Sequence, residues 1–569
     1  MILKESVTVC LLFGGAVLFA RLIGAYMARV FTVEKTKPDF LQPVENIIYR
    51  FCRINPSREM DWKQCLVAML AINAVWLIWG FSLLLFQGSL FLNPAGNPSM
   101  EWHLAVNAAI SFLTSANLQH YSGETGATYL SQIAVFTFLQ FVSAATSLAA
   151  GVAVVRGLSS GNGTKLGNFY SDLTKSCIRI LLPLCIVAAI LFMLRGVPIT
   201  FEGPQKIGTL QGDQVTVATG PVAAMLPIKE LGSNGGGFFG ANDAHPFENP
   251  DFFTFSLHTL IVFLLPMAFV FFIGDHLGSR RFGRMLFCVM TVGFLLVTIP
   301  IILQEAGGNP AVRAMGIDQS AGNMEGKETR FGSVYSAFYS GENMVIPAGT
   351  TVGVHDSYMP LSGVYMLVGM QIDGFFGGLG TGWINMFLYV LIAVFIGTLM
   401  IGRTPELFGK KIGIFEMKIA GAVSVAALLV PLGLAALANF VYVNYPGGGG
   451  SLGWLTNKKY HGFTTFLYEY ISSVAGNGSE FSGLGNNTPF WNLTTSFAML
   501  SGRFIPIIGG LRIAGALKEK KYTPLSSGSL RADSLTFGTF LFIVIILLNA
   551  LSLLPALMLG PLAEYFSRS

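Results

Sequence analysis

Two stretches decide how this chain is read: Gly232–Asn249, GSNGGGFFGANDAHPFEN, and Gly476–Asn492, GNGSEFSGLGNNTPFWN. They align without a gap at a constant offset of 243 residues. Asn234-Gly235 matches Asn477-Gly478, Phe238 matches Phe481, and Gly240 matches Gly483. Pro246-Phe247 matches Pro489-Phe490, and Asn249 matches Asn492. So many matches in one frame mark an internal repeat. Two weaker relatives are Ser111–Gly123 (SFLTSANLQHYSG) and Ser340–Ser357 (SGENMVIPAGTTVGVHDS). With Asn117, Gly235, Gly349 and Gly478 as centres, the spacings are 118, 114 and 129 residues. That period has room for a crossing helix, a segment that dips back, and a second crossing helix.

Composition sets the solvent these repeats live in. Of 569 residues only 11 % are charged, against about 25 % in an average soluble domain. The hydrophobic share is 52 % and the mean hydropathy is +0.60. A soluble globular domain, a disordered chain and a nucleic-acid binder are excluded, and an integral membrane protein in contact with lipid is expected. The six cysteines form no CxxC pair and suit neither a disulfide scaffold nor a metal site. Most are read as small buried hydrophobes. Apolar residues run from Val7 to Ala20 with no small-residue cleavage site after them, so a retained first helix is expected.

A crossing helix needs about 20 largely apolar residues. Ten stretches qualify: 6–28, 64–86, 131–155, 177–195, 252–274, 284–304, 384–402, 417–440, 489–511 and 535–559. The intervening loops alternate in charge. The first, third, fifth, seventh and ninth carry most of the Lys and Arg, among them Lys35, Lys37, Arg156, Arg280, Arg281, Arg403, Lys410, Lys411 and Lys520. The other four are longer in total and hold more than twice as many acidic as basic residues. By the positive-inside rule the odd loops face the cytoplasm, and both termini lie outside. The net negative exterior favours the approach of cations.

All four repeats lie in those exterior loops. Non-helical backbone at membrane depth is tolerated only where it lines a cavity or is buried in protein. Glycine there accepts positive φ and lets backbone carbonyls face one axis. Four such loops around an axis would make rings of carbonyls able to replace an ion's hydration shell. The expected fold is therefore an all-α polytopic membrane protein with ten transmembrane helices. It would comprise four tandem units of span, re-entrant pore loop and span, with one extra helix at each end. The boundaries are 1–30, 60–156, 172–275, 283–403, 415–512 and 533–560.

The motif KELGSNGGGFFGANDAHPFENP (Lys229–Pro250) resembles the KdpA family, the potassium-transporting and potassium-binding component of bacterial Kdp P-type ATPase complexes. Further segments carry the same resemblance: NMEGKETRFG (323–332), HDSYMPLSG (355–363), GTLMIGRTPELFGKKI (397–412), SGRFIPI (501–507) and LGPLAEY (559–565). They are distinctive, stand in family order and span the chain. The resemblance implies ten helices in four potassium-channel-like units, in a bacterial inner membrane. It implies K⁺ selection at an exterior filter and transfer of the ion to a separate partner, the ATP-hydrolysing catalytic B subunit of the P-type ATPase. A C subunit and a small single-span F subunit complete such a complex. No cofactor beyond the transported K⁺ is implied. Consistently, the chain contains neither GxxxxGK[ST] nor DKTG, so a non-catalytic role is expected.

Carried over residue by residue, the filter is expected at Ser115, Ala116 and Asn117; Ser233, Asn234 and Gly235; Pro347, Ala348 and Gly349; and Gly476, Asn477 and Gly478. Gln119 follows the first stretch. Backbone carbonyls would be the K⁺ ligands. The first stretch departs from the family's usual Asn-Thr-Asn-Trp-Gln, reading Ser-Ala-Asn-Leu-Gln. The third reads VIPAGTTVGV, and a gapped alignment would put Thr351-Val352-Gly353 in place of Gly349.

Charges within apolar stretches are functional candidates by default. Arg503, in the ninth span, is expected near the pore below the filter. Asp318, Glu325, Lys327, Glu328 and Arg330 are expected to form an exterior salt-bridge network. His258 is read as a lone satisfied polar residue, and His355 as a structural hydrogen bonder. Gly378 and Gly380 precede the seventh span within an apolar stretch over 363–383 and predict a broken helix, and the resemblance implies that this loop obstructs free flow below the filter. A gradient-driven K⁺ channel or symporter of the same architecture is the competing reading, and partner dependence separates the two.

Overall fold

The structure is a computed structural model and describes residues 2–32, 41–159, 163–445, 449–522 and 531–568. Of the basic loop residues, Lys35 and Lys37 lie outside the described residues. Among the described residues, ten helices are long and apolar enough to cross a membrane. They are Lys4–Phe31, Trp62–Ser89, Ser131–Leu158, Phe169–Leu194, Phe252–His276, Arg280–Ala314, Thr381–Met400, Ile414–Asn444, Pro489–Glu519 and Leu535–Leu559. Each coincides with a span read from the sequence, and most extend a few residues further. The added turns are polar or capped, as at Asp61, whose side chain accepts from Gln64 N and opens the second span.

Among the shorter helices between spans, four precede the four repeat loops: Trp102–Leu113, Val222–Leu231, Gly332–Val345 and Lys459–Ala475. Each packs against the span that precedes it, the second, fourth, sixth and eighth respectively. Each also packs against the helix that follows its loop. The third and fifth spans are mostly buried, whereas few residues of the first, second and eighth are buried. Exposed Leu, Ile, Val and Phe are numerous on the outer helices, as on a surface meant for hydrocarbon.

The helix before the seventh span is broken, as expected. Pro360–Ile372 ends at Asp373 (φ 38°), and Thr381–Met400 begins after Gly380 (φ 80°). Phe376 and Gly378 between them are also left-handed. The break is packed tightly: a methyl group on Gly380 would sit 2.3 Å from the Ser147 carbonyl oxygen.

The chain is mostly helical, as expected, with two small antiparallel hairpins that pair Gln205–Gly208 with Gln214–Val217 and Glu406–Leu407 with Lys410–Lys411. Short alternating segments closed by a glycine at positive φ (Gly212, Gly409) make them, too briefly to stand out in a span scan. Two other expectations need correction. The cysteines are not mostly buried: Cys65 and Cys185 are, but Cys10, Cys52 and Cys288 are exposed. Cys10 and Cys288 lie on outward faces of spans, where an apolar exterior asks for no burial. The charges over 318–330 do not form one network. Lys327 turns inward to Glu305 at the end of the sixth span, 2.8 Å away, with both side chains sealed from solvent. Arg330 pairs with Glu328, and Asp318 is held by Ser320.

Candidate functional site

The four short helices deliver their C-termini to one place. A helix C-terminus carries the negative end of the macrodipole, equivalent to roughly half an elementary charge. The loops that follow are those expected from the sequence, and they touch in a closed cycle. A methyl group on Gly235 would lie 1.8 Å from the Ala348 carbonyl oxygen. One on Gly349 would lie 1.9 Å from the Asn477 carbonyl oxygen, and one on Gly478 would lie 1.8 Å from that of Ala116. The fourth joint is different: Asn117 donates through Nδ2 to the Gly235 carbonyl at 2.7 Å.

Left-handed backbone makes these turns. Gly235, Gly349, Gly476 and Gly478 have φ between 63° and 85°. Ser115 (φ 61°), Asn117 (φ 55°) and Ser233 (φ 49°) adopt the same region without being glycine, at a cost of about 1 kcal/mol each. The geometry places Gly349 in the cycle. Gly353 lies elsewhere, paired as an isolated bridge with Lys327, so the ungapped register describes this fold.

The turns settle where the backbone polar groups go. Amides fold back on their own helices: Ala116 and Asn117 donate to Ser111 O, Asn234 and Gly235 to Lys229 O, Ala348 to Asn343 O, and Asn477 to Ser472 O. The carbonyls are left over. Among the described residues, those of Ala116, Asn234, Ala348 and Asn477 accept no hydrogen bond, and all four residues are fully buried. They occupy the same position in each loop, one residue before the centres Asn117, Gly235, Gly349 and Gly478. Buried unpaired carbonyls cost about 1–3 kcal/mol each. Four together, at the negative ends of four helices, are electrostatically suited to a cation.

Behind the loops a polar frame fixes them. Lys229 Nζ, fully buried, donates to Asp243 (2.6 Å), Glu248 (2.7 Å) and Asn242 (2.7 Å). Tyr339 OH donates to Asp243 Oδ2 at 2.5 Å, Thr350 Oγ1 to Asn343 Oδ1 at 2.6 Å, and Asn477 Nδ2 to Asn343 O at 2.8 Å. The frame thus ties the second, third and fourth loops together. His258 is a satisfied polar residue, as expected, its ring nitrogens meeting Glu230 (3.0 Å) and the Glu248 carbonyl. The charged pair Lys229-Glu230 inside an apolar helix was the sequence signal for this frame. His355 bridges Ser340 (3.1 Å) and Tyr468 (2.9 Å), a structural role as expected. Gln119 does not line the cycle. It clamps the first loop to the second through Gly237 O (3.1 Å) and Gly237 N (2.8 Å).

On the opposite side of the cycle is a chamber of about 30 Å³, room for one water-sized guest. Ser115, Ser233, Pro347 and Gly476 line one end, and Gly378, Leu379 and Thr381 of the broken helix line the other. Arg503 stands between them. It donates to Thr381 Oγ1 (2.9 Å), Ser115 Oγ (3.1 Å) and Ser143 O (2.8 Å). Among the described residues no ion pair within 4 Å holds it, and Asp373 lines the same chamber, so the guanidinium faces the chamber together with one carboxyl group. Arg503 lies below the loops, as its place in the ninth span predicts. Its partners Thr381 and Ser143 come from other helices and were not foreseeable from the letters.

Known proteins resemble this chain along its whole length. The family model for the potassium-transporting ATPase A subunit, KdpA, matches residues 10–566. A potassium-transporting ATPase potassium-binding subunit of Flavobacterium psychrophilum is 49 % identical over 551 residues, covering 96 % of each chain. That of Flavobacterium johnsoniae is 50 % identical over the same length and share. That of Alicyclobacillus acidocaldarius is 44 % identical over 545 residues, 95 % of each. Among solved structures, the potassium transporter TrkH from Vibrio parahaemolyticus shares the fold at a TM-score of 0.50 and 15 % identity, covering 87 % of this chain and 95 % of that one. With a family model and relatives this similar spanning nearly every residue, the chain belongs to the KdpA family of potassium-transporting ATPase A subunits.

Proposed function

We propose that the cycle of loops is a K⁺-selective filter and that this chain is the K⁺-binding, translocating and non-catalytic subunit of an ATP-driven uptake pump. The observation that carries the reading is the set of four buried carbonyls, Ala116, Asn234, Ala348 and Asn477, that lack a donor. Carbonyl oxygens arranged this way can replace the water that a K⁺ ion sheds on entry. Ser115, Ser233, Pro347 and Gly476 continue the path into the chamber. The chain then reads as four span–pore loop–span units with boundaries near 60–156, 172–275, 283–403 and 415–512.

The filter faces the exterior, with both termini on that side and the basic loops in the cytoplasm of a bacterial inner membrane. K⁺ enters past Gln119, dehydrates at the carbonyls and meets Arg503, whose positive charge limits how many cations share the chamber. The broken helix over 373–380 closes the direct way down, which suits a pump component and not an open channel. Energy comes from partners: an ATP-hydrolysing B subunit, assisted by a C subunit and a small single-span F subunit. The relatives' names, each that of a component of a potassium-transporting ATPase, support this assignment.

The test is Rb⁺ uptake at micromolar external K⁺ in cells lacking other potassium uptake. The chain is expressed with its partner subunits and compared with Gly235→Asp. Partner-dependent uptake that this substitution abolishes supports the reading. Uptake with no ATPase partner present would instead favour a gradient-driven transporter.

A further inference from the structure

A second buried group of ligand-bearing side chains lies behind the first and fourth loops, and nothing above uses it. His120 follows Gln119, Glu469 projects from Lys459–Ala475, and Glu480 stands two residues after Gly478. One ligand atom from each lies within 4.8 Å of the others. The His120 and Glu469 side chains are sealed from solvent, with Nε2 3.0 Å from Glu469 Oε1. Glu480 is anchored by Asn486 Nδ2 at 2.7 Å on Oε2, which leaves its buried Oε1 without a hydrogen-bond partner.

The neighbours fix the imidazole. Asn492 Nδ2 is committed as a donor to His103 Nδ1 (2.8 Å) and Asn487 Oδ1 (3.1 Å). Asn492 therefore offers only its carbonyl oxygen to His120 Nδ1, 2.6 Å away. Nδ1 must carry the hydrogen, and Nε2 faces the two carboxylates, 3.0 Å from Glu469 Oε1, where a bound metal ion would take the place of the proton that Nε2 otherwise gives to Glu469. An outer-shell hydrogen bond of this kind is what orients histidine as a metal ligand. Glu469 Oε2, buried on a fully sealed side chain, has no hydrogen-bond partner.

The cluster behind the second loop supplies the contrast. There too a histidine and two carboxylates, His258, Glu230 and Asp243, come within 4.8 Å. That group is completed by Lys229 Nζ, 2.6 Å from Asp243 and 3.7 Å from Glu230. The chain provides its own cation. Around Glu469 and Glu480, among the described residues, no Lys or Arg comes within 4 Å. The His120 imidazole is then the one group able to offset two close buried carboxylates, and a divalent ion would offset them both. One imidazole nitrogen and two carboxylate oxygens suit a borderline transition cation such as Zn²⁺. Mg²⁺ and Ca²⁺ prefer all-oxygen shells.

We propose that His120, Glu469 and Glu480 form a binding site for a divalent transition cation, of which Zn²⁺ is the representative, bridging the first and fourth loops. Water fills the remaining position. The bound ion holds together the joint where Gly478 meets Ala116. The inference does not depend on which ion crosses the cycle.

The test uses the assembled complex in lipid nanodiscs, stripped with chelator and titrated with Zn²⁺ by calorimetry. One site of micromolar or tighter affinity is expected. His120→Gln and Glu469→Gln should each weaken it at least tenfold, while His461→Gln, at a separate exterior cluster, should leave it in place. Absence of such a site in the unmodified complex would overturn the proposal. So would binding that both variants retain, since it would be adventitious only. Should the variants fail to assemble, X-ray absorption of the Zn²⁺-loaded unmodified complex decides. A shell of one imidazole with carboxylate oxygens supports the site, and a thiolate or imidazole-free shell refutes it.

Discussion

Replacing Gly349 with alanine tests both the filter and its register. A methyl group there would begin 1.9 Å from the Asn477 carbonyl oxygen, whereas real contacts of this kind are essentially never under 3.0 Å. Something must therefore move by at least about 1.1 Å, and the atom in the way is backbone. The left-handed φ of 63° adds about 1 kcal/mol for any residue with a Cβ. Asn477 contributes one of the four unpaired carbonyls, so the displacement acts directly on a ligand. If the strain and the lost ligand weaken ion binding by about 2 kcal/mol, the apparent affinity falls roughly 30-fold. Gly353→Ala is the matched comparison. Gly353 has no left-handed φ, and its methyl would stand 3.0 Å from Gly326 O, away from the cycle. Apparent affinity for Rb⁺ and the K⁺/Na⁺ preference, measured by uptake with partner subunits present, should change sharply for Gly349→Ala and less than twofold for Gly353→Ala. An assembled Gly349→Ala complex with unaltered affinity and preference, or a larger effect at Gly353, would refute the reasoning.

Other substitutions probe the surrounding parts. Lys229→Met should prevent stable assembly, since it leaves Asp243 and Glu248 buried without their partner at a cost of about 3–5 kcal/mol; yield and monodispersity after solubilisation report it. Arg503→Gln should raise ATP-independent Rb⁺ leak through proteoliposomes while sparing apparent affinity, because Arg503 lies in the chamber and not among the carbonyls. Deleting Phe375–Gly380 should raise the same leak further by opening the break itself. His461, mostly buried, bridges Asp356 (2.7 Å) and Glu564 (3.0 Å), and their hydrogen bonds and charges lift its pKa to about 9 against the opposing pull of burial. A raised histidine pKa stabilises the fold fully below the unfolded value near 6.5, and the benefit is lost as pH rises through 9. The melting temperature of His461→Gln should therefore fall below that of the unmodified chain at pH 6, by up to about 3 kcal/mol of stability, and converge with it above pH 9.5.

Much of this architecture was legible because the membrane simplifies the problem. Spans are long and apolar, and the loops Ser233–Gly235 and Gly476–Gly478 need glycine or a tolerant residue for steric reasons. The repeat therefore survives in the letters. The first loop was harder to read, because Ser115 and Asn117 take left-handed turns without glycine, and only the period pointed there. The third was ambiguous because two glycines, 349 and 353, stand four apart, and a sequence does not say which backbone carries positive φ. The buried charges were the least legible. Lys327 pairs with Glu305, 22 residues away, and His120 with Glu469, 349 away, so neither partner could be named without the fold.

The cycle of loops is made from one polypeptide, and that has a consequence for how it can change. In an assembly of four identical chains every substitution is made four times around the axis, and the ring must absorb all four at once. Here each corner is inherited separately. Three joints meet backbone to backbone through Gly235, Gly349 and Gly478, and they admit no added atom. The fourth is made by a side chain, the Asn117 amide reaching the Gly235 carbonyl. Three corners are thus frozen by contact geometry, while the fourth, held by the side chains of Asn117 and Gln119, can be retuned by exchanging side chains. Divergence among related chains that keep the same ring should therefore gather at the joint between the first and second loops.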